Sequence, residues 1–339
     1  GFGAGVNAIA GSLRDVFSAG IDTVAGIIGG LVNGDLNQVA DALKNGFGAT
    51  TTAVAGALSG VFNAGVDTIA DVLKDLGIPA GPVAEALKNG VGASLTAIAS
   101  ALNSVFNASL NTVTGIINGL ANGDLTAVGN ALLNGFGASG QAIAQSMKDI
   151  LNAAYTTVGQ VLDAIGLPLS TIADAFRDTY GLAFSATVSF MKNTLGESVA
   201  SISSALKDVG ATMNQIASAL RNGINSTAST IASTLKNLYG GAYTDIATAL
   251  KSIGESLSSV GSALNGIGAT ATQIADALQD VFNATAEQLV GFFKDTLGLG
   301  QDAISSALSG AGYAADAVGD ALGSFFGDVG DGFCDFFGC

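Results

Sequence analysis

Val6-Asn7-Ala8-Ile9-Ala10-Gly11-Ser12-Leu13-Arg14-Asp15-Val16-Phe17-Ser18-Ala19-Gly20 is the stretch that decides the fold. Its large apolar residues, Val6, Ile9, Leu13, Val16 and Phe17, mostly follow one another at steps of three and four, which puts them on one face of an α-helix. Strand alternation fails, because Val16 and Phe17 are adjacent and Ala10 follows Ile9. Ala10 and Ser12 flank the stripe and are small enough for a neighbouring helix to come close. Ser18-Ala19-Gly20 then closes the unit, since glycine accepts the left-handed backbone that ends helices.

The same unit recurs every 14 or 15 residues to the end of the chain. Its most regular feature is a pair: Ser12-Leu13, Ile27-Ile28, Ala42-Leu43, Ala57-Leu58, Val72-Leu73, and so on to Ala321-Leu322. All 12 basic residues, from Arg14, Lys44 and Lys74 to Lys251 and Lys294, directly follow such a pair. One register kept throughout means one short unit copied about 22 times. Asp41, Asp71, Glu85 and Asp174 precede Lys44, Lys74, Lys88 and Arg177 by three residues, on the same helix face. This spacing predicts a solvated outer stripe of weak ion pairs. Asp35 and Asp124 are placed to cap the helices that follow them.

A helix of about ten residues is about 15 Å long and does not persist alone in water. Its apolar stripe must stack on the next copy, so stability comes from nearest-neighbour interfaces. The expected fold is all-α: a single elongated α-solenoid of about 22 short helices, with the helical repeats over 1–323 and a Phe/Cys-rich cap or contact segment over 324–339. A longer period overlies the short one. Gly1-Phe2-Gly3-Ala4, Gly46-Phe47-Gly48-Ala49, Gly90-Val91-Gly92-Ala93 and Gly135-Phe136-Gly137-Ala138 recur about every 45 residues, every third unit. Three helices per superhelical turn would produce this modulation, and so would duplication of a three-unit block.

Composition narrows the function classes. The chain is 49% hydrophobic but only 12% charged, against about 25% charged in ordinary soluble domains. Uncharged polar residues and glycine must cover much of the surface, which points to self-association or an apolar partner. A net charge of −15 without a basic cluster excludes nucleic-acid binding. No stretch approaches the roughly 20 apolar residues of a membrane span. The start at Gly1 fits removal of an upstream segment on secretion and equally a trimmed chain.

Catalysis is hard to build without histidine, because no Ser–His or Cys–His pair can form. The expectation is a non-enzyme with no cofactor and no resident metal. Asp328-Val329-Gly330-Asp331 is half of an acidic calcium loop but lacks the closely spaced ligands and the distal glutamate. Cys334 and Cys339 are close enough for a small disulfide loop, which suits an oxidising compartment; free thiols and bridges between chains are the alternatives. Sequons at Asn107, Asn225 and Asn283 coincide with the repeat's own Asn-Ala or Asn-Ser turns.

The unit, with segments such as Ala277-Leu278-Gln279-Asp280-Val281-Phe282-Asn283-Ala284 and Gly312-Tyr313-Ala314-Ala315, resembles Ala-Leu-rich helix-repeat tracts in uncharacterised extracellular microbial proteins. The resemblance implies an extracellular or cell-surface location and carries no activity. The leading expectation is a structural protein that associates with itself head to tail in a fibre, sheath or surface layer. A solenoid is open at both ends, and a contact that does not close gives a filament. The candidate contacts are Phe2 and Phe17 at one end and Phe325, Phe326, Phe333, Phe336 and Phe337 at the other. A surface-active protein on lipid or an air–water interface is the second expectation. A solenoid binding scaffold is the third.

Overall fold

A computed structural model describes residues 2–327, with side chains from residue 5 onward. The described residues form 22 α-helices and no strand. The first half holds α1 (Phe2–Phe17), α2 (Ile21–Leu31), α3 (Leu36–Asp41), α4 (Thr51–Phe62), α5 (Val66–Asp75), α6 (Ala80–Ala86), α7 (Leu95–Ser104), α8 (Leu110–Leu120), α9 (Leu125–Ala131), α10 (Gly140–Leu151) and α11 (Tyr155–Ala164). The second holds α12 (Leu169–Asp174), α13 (Phe184–Asn193), α14 (Val199–Asp208), α15 (Met213–Ile224), α16 (Ala228–Tyr239), α17 (Tyr243–Ser252), α18 (Leu257–Gly266), α19 (Ala271–Phe282), α20 (Ala286–Asp295), α21 (Gln301–Gly310) and α22 (Ala315–Phe326). Helices α3, α6, α9 and α12 each continue into a π-helical turn: Ala42–Gly46, Leu87–Val91, Leu132–Phe136 and Ala175–Thr179. The chain divides into two compact units, residues 1–167 and 168–339, and the expected boundary after residue 323 falls inside α22.

In each unit most helices touch their successor and pack more extensively on the helix two further on, so odd- and even-numbered helices form two interleaved rows. The packing period is therefore two helices, and the three-helix turn is corrected to this. The 45-residue modulation has another cause. Gly46, Gly90 and Gly135 end or nearly end the π turns of α3, α6 and α9. A Cβ on them would lie 2.4 Å from the Asn7 carbonyl oxygen, 2.3 Å from that of Thr52 and 2.2 Å from that of Thr96. At α3, α6 and α9, a glycine thus lets the helix end rest directly on the backbone of the helix two before it.

The core uses four positions of each repeat. Val54, Ala55, Ala57 and Leu58 are buried in α4, and Ile98, Ala99, Ala101 and Leu102 in α7. The same pattern returns as Ile216, Ala217, Ala219 and Leu220 in α15. A β-branched residue, two alanines and a leucine at i, i+1, i+3 and i+4 make one helical face. The alanines are core residues rather than flanks, which sets how closely the helices pack.

Ends are built locally. The Asp35 carboxylate accepts from the backbone N–H of Asn37 (3.0 Å) and Gln38 (3.2 Å), and Asp124 accepts from Ala127 N–H (3.0 Å). Thr212, Thr270 and Thr285 form reciprocal capping boxes with Gln215, Gln273 and Gln288. Asn107, Asn225 and Asn283 have φ of 51°, 51° and 53°. The three sequon asparagines are therefore left-handed turn residues, a conformation that Asn tolerates better than most.

Candidate contact surfaces

The basic residues lie exposed or half-exposed, as a solvated stripe would, but their contacts go beyond ion pairs along one helix face. Six of the 12 reach across to the helix two further on and bind its C-terminal end. Lys74 Nζ in α5 donates to the Val105 carbonyl at the end of α7 (2.6 Å), and Lys207 in α14 to that of Leu238 in α16 (2.7 Å). Arg177 Nη1 donates to the Val209 carbonyl (2.8 Å). Arg14 bonds the Phe47 carbonyl, Lys251 that of Val281 and Lys294 that of Phe325. The last carbonyls of a helix lack intrahelical partners and carry its partial negative charge, so a cation is stabilised there.

An aromatic ring completes most of these staples. Lys74 lies 5.9 Å from the Phe106 ring centroid, Lys207 4.7 Å from Tyr239, Lys251 5.1 Å from Phe282 and Lys294 4.7 Å from Phe326. Arg14 lies 5.9 Å from Phe47. Each ring stands three residues after the cation position of its own helix. A cation over a ring at a half-exposed site contributes about 0.5–1 kcal/mol. Of the four expected i,i+3 pairs, the described residues show Asp174–Arg177 (2.6 Å). Asp41 instead accepts from Asn7 (2.9 Å) and Asn45 (2.6 Å).

Where the register lacks a cation, the ring is accommodated differently. Gly29 leaves space for Phe62, whose Cε1 would be 2.6 Å from a Cβ at residue 29. Asn103 donates its side-chain amide to the Phe136 carbonyl (3.2 Å). Arg221 forms an ion pair with the largely buried Glu255. Tyr239 OH donates to the Ala211 carbonyl (3.0 Å), and Tyr313 OH to that of Ala284. Burial raises the pKa of both hydroxyls, with Asp276 adding to the effect at Tyr313. Hydrogen bonding and charge from Arg177 hold Asp178 below the usual carboxylate range.

The sequence pattern alone did not single out the rings as cation acceptors. The signal was present, since an aromatic recurs three residues after the register position. Among the described residues there is no group of three or more metal-ligating side chains. A groove between α14 and α16 is lined by Ala200, Ser229, Thr230, Ser233, Thr234 and Asn237, which offer hydroxyls and an amide but no ionisable group. No described helix is long and apolar enough to cross a membrane.

The candidate contacts are divided between the two units. Phe2 begins α1. Phe17 ends it and is 71% exposed, beside Val16 at 72%. Ile9, Ile27 and Leu31 are exposed with them, so α1 and α2 present an apolar face. Phe325 packs back towards Gly291, 3.1 Å from where a Cβ would stand, and Phe326 lies under Lys294 and is 36% exposed. Phe333, Phe336, Phe337, Cys334 and Cys339 lie outside the described residues. The chain matches no protein-family model, and no curated protein matches it.

Proposed function

We propose that the chain is a secreted structural repeat protein that assembles head to tail into an extracellular fibre, sheath or surface layer. The observation that supports this reading is the repeated packing, in the first unit, of each helix from α3 onward on the helix two before it, a geometry that the repeats of another copy can continue. The low charge density supports the reading, because little hydration has to be removed. Electron microscopy and sedimentation velocity of the purified chain test it. Filaments or concentration-dependent association are expected; monodisperse monomers throughout the micromolar range overturn it. Flotation of the chain with neutral liposomes, with no self-association in their absence, favours the interfacial alternative.

A further inference from the structure

The turns of each unit fall on two edges. In the first unit, Lys74 at the end of α5 bonds the Val105 carbonyl at the end of α7, and Asn103 in α7 bonds the Phe136 carbonyl after α9, so odd-numbered helices end side by side. In the second, Arg221 near the end of α15 pairs with Glu255 beyond α17, and Lys251 near the end of α17 bonds the Val281 carbonyl at the end of α19. Turns from an odd to an even helix therefore share one edge of a unit. Turns from an even to an odd helix lie a helix length away, about 15 Å. Asn33, Asn63, Asn122 and Asn152 are left-handed turn residues on the second edge, and two residues on stand Asp35, Gly65, Asp124 and Ala154. Asn107, Asn225 and Asn283 are left-handed turn residues on the first edge, and two residues on stand the hydroxyls of Ser109, Thr227 and Thr285. The turn itself does not require this division. Hydroxyl caps occur on the second edge too, at Ser94, Thr212 and Thr270, but there the left-handed residue is a glycine. Asparagine and hydroxyl each suit either edge and are combined on one.

Asn107, Asn225 and Asn283 are exposed, and among the described residues their side-chain amides have no hydrogen-bond partner. Asn7 and Asn103, by contrast, commit Nδ2 to Asp41 and to the Phe136 carbonyl. A group added to the three free amides extends into solvent and displaces no contact. The hydroxyls cap helices: Ser109 accepts from Thr112 N–H (3.2 Å), Thr227 from Thr230 N–H (3.2 Å) and Thr285 from Gln288 N–H (3.3 Å). They are engaged once the following helix forms, so a reaction that needs them belongs to the chain before α8, α16 and α20 have stacked. Helices this short wait for their neighbours, which provides that interval.

We propose that Asn107, Asn225 and Asn283 are acceptors of N-linked glycans, which the fold confines to one edge of each unit. The donor class is an oligosaccharide carried on a polyprenyl pyrophosphate and handed to the emerging chain by a transferase. Asn Nδ2 forms a bond to the anomeric carbon, and the bond from that carbon to the pyrophosphate oxygen breaks. The amide loses one proton to the medium, and the lipid pyrophosphate is the leaving group. The proposal rests on the secreted part of the proposed function and not on assembly.

Peptide mapping by mass spectrometry of the full chain, recovered from the medium or surface of its own cells, tests it. Glycopeptides are expected at Asn107, Asn225 and Asn283 and at none of Asn33, Asn63, Asn122 and Asn152. Asn283→Gly should lose one glycan and keep its fold, because glycine holds the corresponding turn after α17, at Gly254 (φ 85°). Thr285→Asp, which caps a helix as Asp35 does, should lose the same glycan, and Thr285→Ser should retain it. Unmodified asparagines in chain recovered outside the cells, or a glycan that persists at Asn283 in Thr285→Asp, overturn the proposal and leave secretion standing. Glycans at the three sites of a chain that stays monomeric remove the assembly reading alone. Unmodified chain found only in the cytoplasm overturns both.

Discussion

Gly90 has no room for a methyl group, because the Thr52 carbonyl oxygen would be 2.3 Å from it. Gly60 sits inside α4, where a Cβ would have nothing within 4 Å. Gly90→Ala should therefore destabilise by about 1–3 kcal/mol through overpacking, whereas Gly60→Ala should stabilise by up to about 1 kcal/mol through helix propensity. Urea midpoints of the two variants read the opposite signs. The staple is testable in the same way. A double-mutant cycle on Lys251→Met and Phe282→Leu should give a coupling of about 0.5–1 kcal/mol; additive effects would mean that the cation and ring do not act together. Glycine was visible in the sequence as a turn residue, but its use for close approach was not. That role depends on which backbone lies opposite, and the opposing residue is more than 30 positions away.

Each helix carries its own boundaries, and these respond to pH in a defined direction. Asp35 caps α3, and its pKa is lowered first by the Gln38 side chain and then by backbone N–H groups of Gln38 and Asn37. Asp35→Ala should cost about 1 kcal/mol. A carboxylate with a depressed folded pKa stabilises above its unfolded value and loses that contribution as pH falls through the folded one. The stability gap between wild type and Asp35→Ala should therefore be constant above about pH 5 and close below about pH 4. Tyr239 behaves oppositely. Burial raises its folded pKa, so its contribution is complete below the unfolded value and is lost as pH rises through the folded one. Thermal melts at about pH 8 and about pH 11 should show a smaller alkaline loss in Tyr239→Phe than in wild type. The Asp35 and Asp124 caps were legible because an aspartate cap acts on backbone groups within three residues. The ring hydroxyl's partner, Ala211, lies a whole helix pair away.

The chain as a whole carries a net charge of −15, with no cation beyond Lys294. Copies of such a chain repel one another in dilute buffer, whereas the proposed assembly would be held by apolar burial. Wild-type association should therefore strengthen as salt rises through about 0.1 M, where the screening length is about 10 Å. Light scattering against ionic strength reads this directly. Association that weakens with added salt would show that charge, and not apolar burial, holds the copies together.

The helical class, the number of helices, their caps and the single register of every Lys and Arg were all determined by the sequence, because each follows from residues within one repeat. Periodicity, turn residues and short-range hydrogen bonding need no knowledge of the rest of the chain. Tertiary structure alone decided what the register is for. A residue's partner two helices on is set by how closely two backbones approach, and that distance depends on alanines and glycines in a different repeat. For the same reason the 45-residue period could be seen but not interpreted: it marks where backbones touch, and touching is a property of pairs of helices.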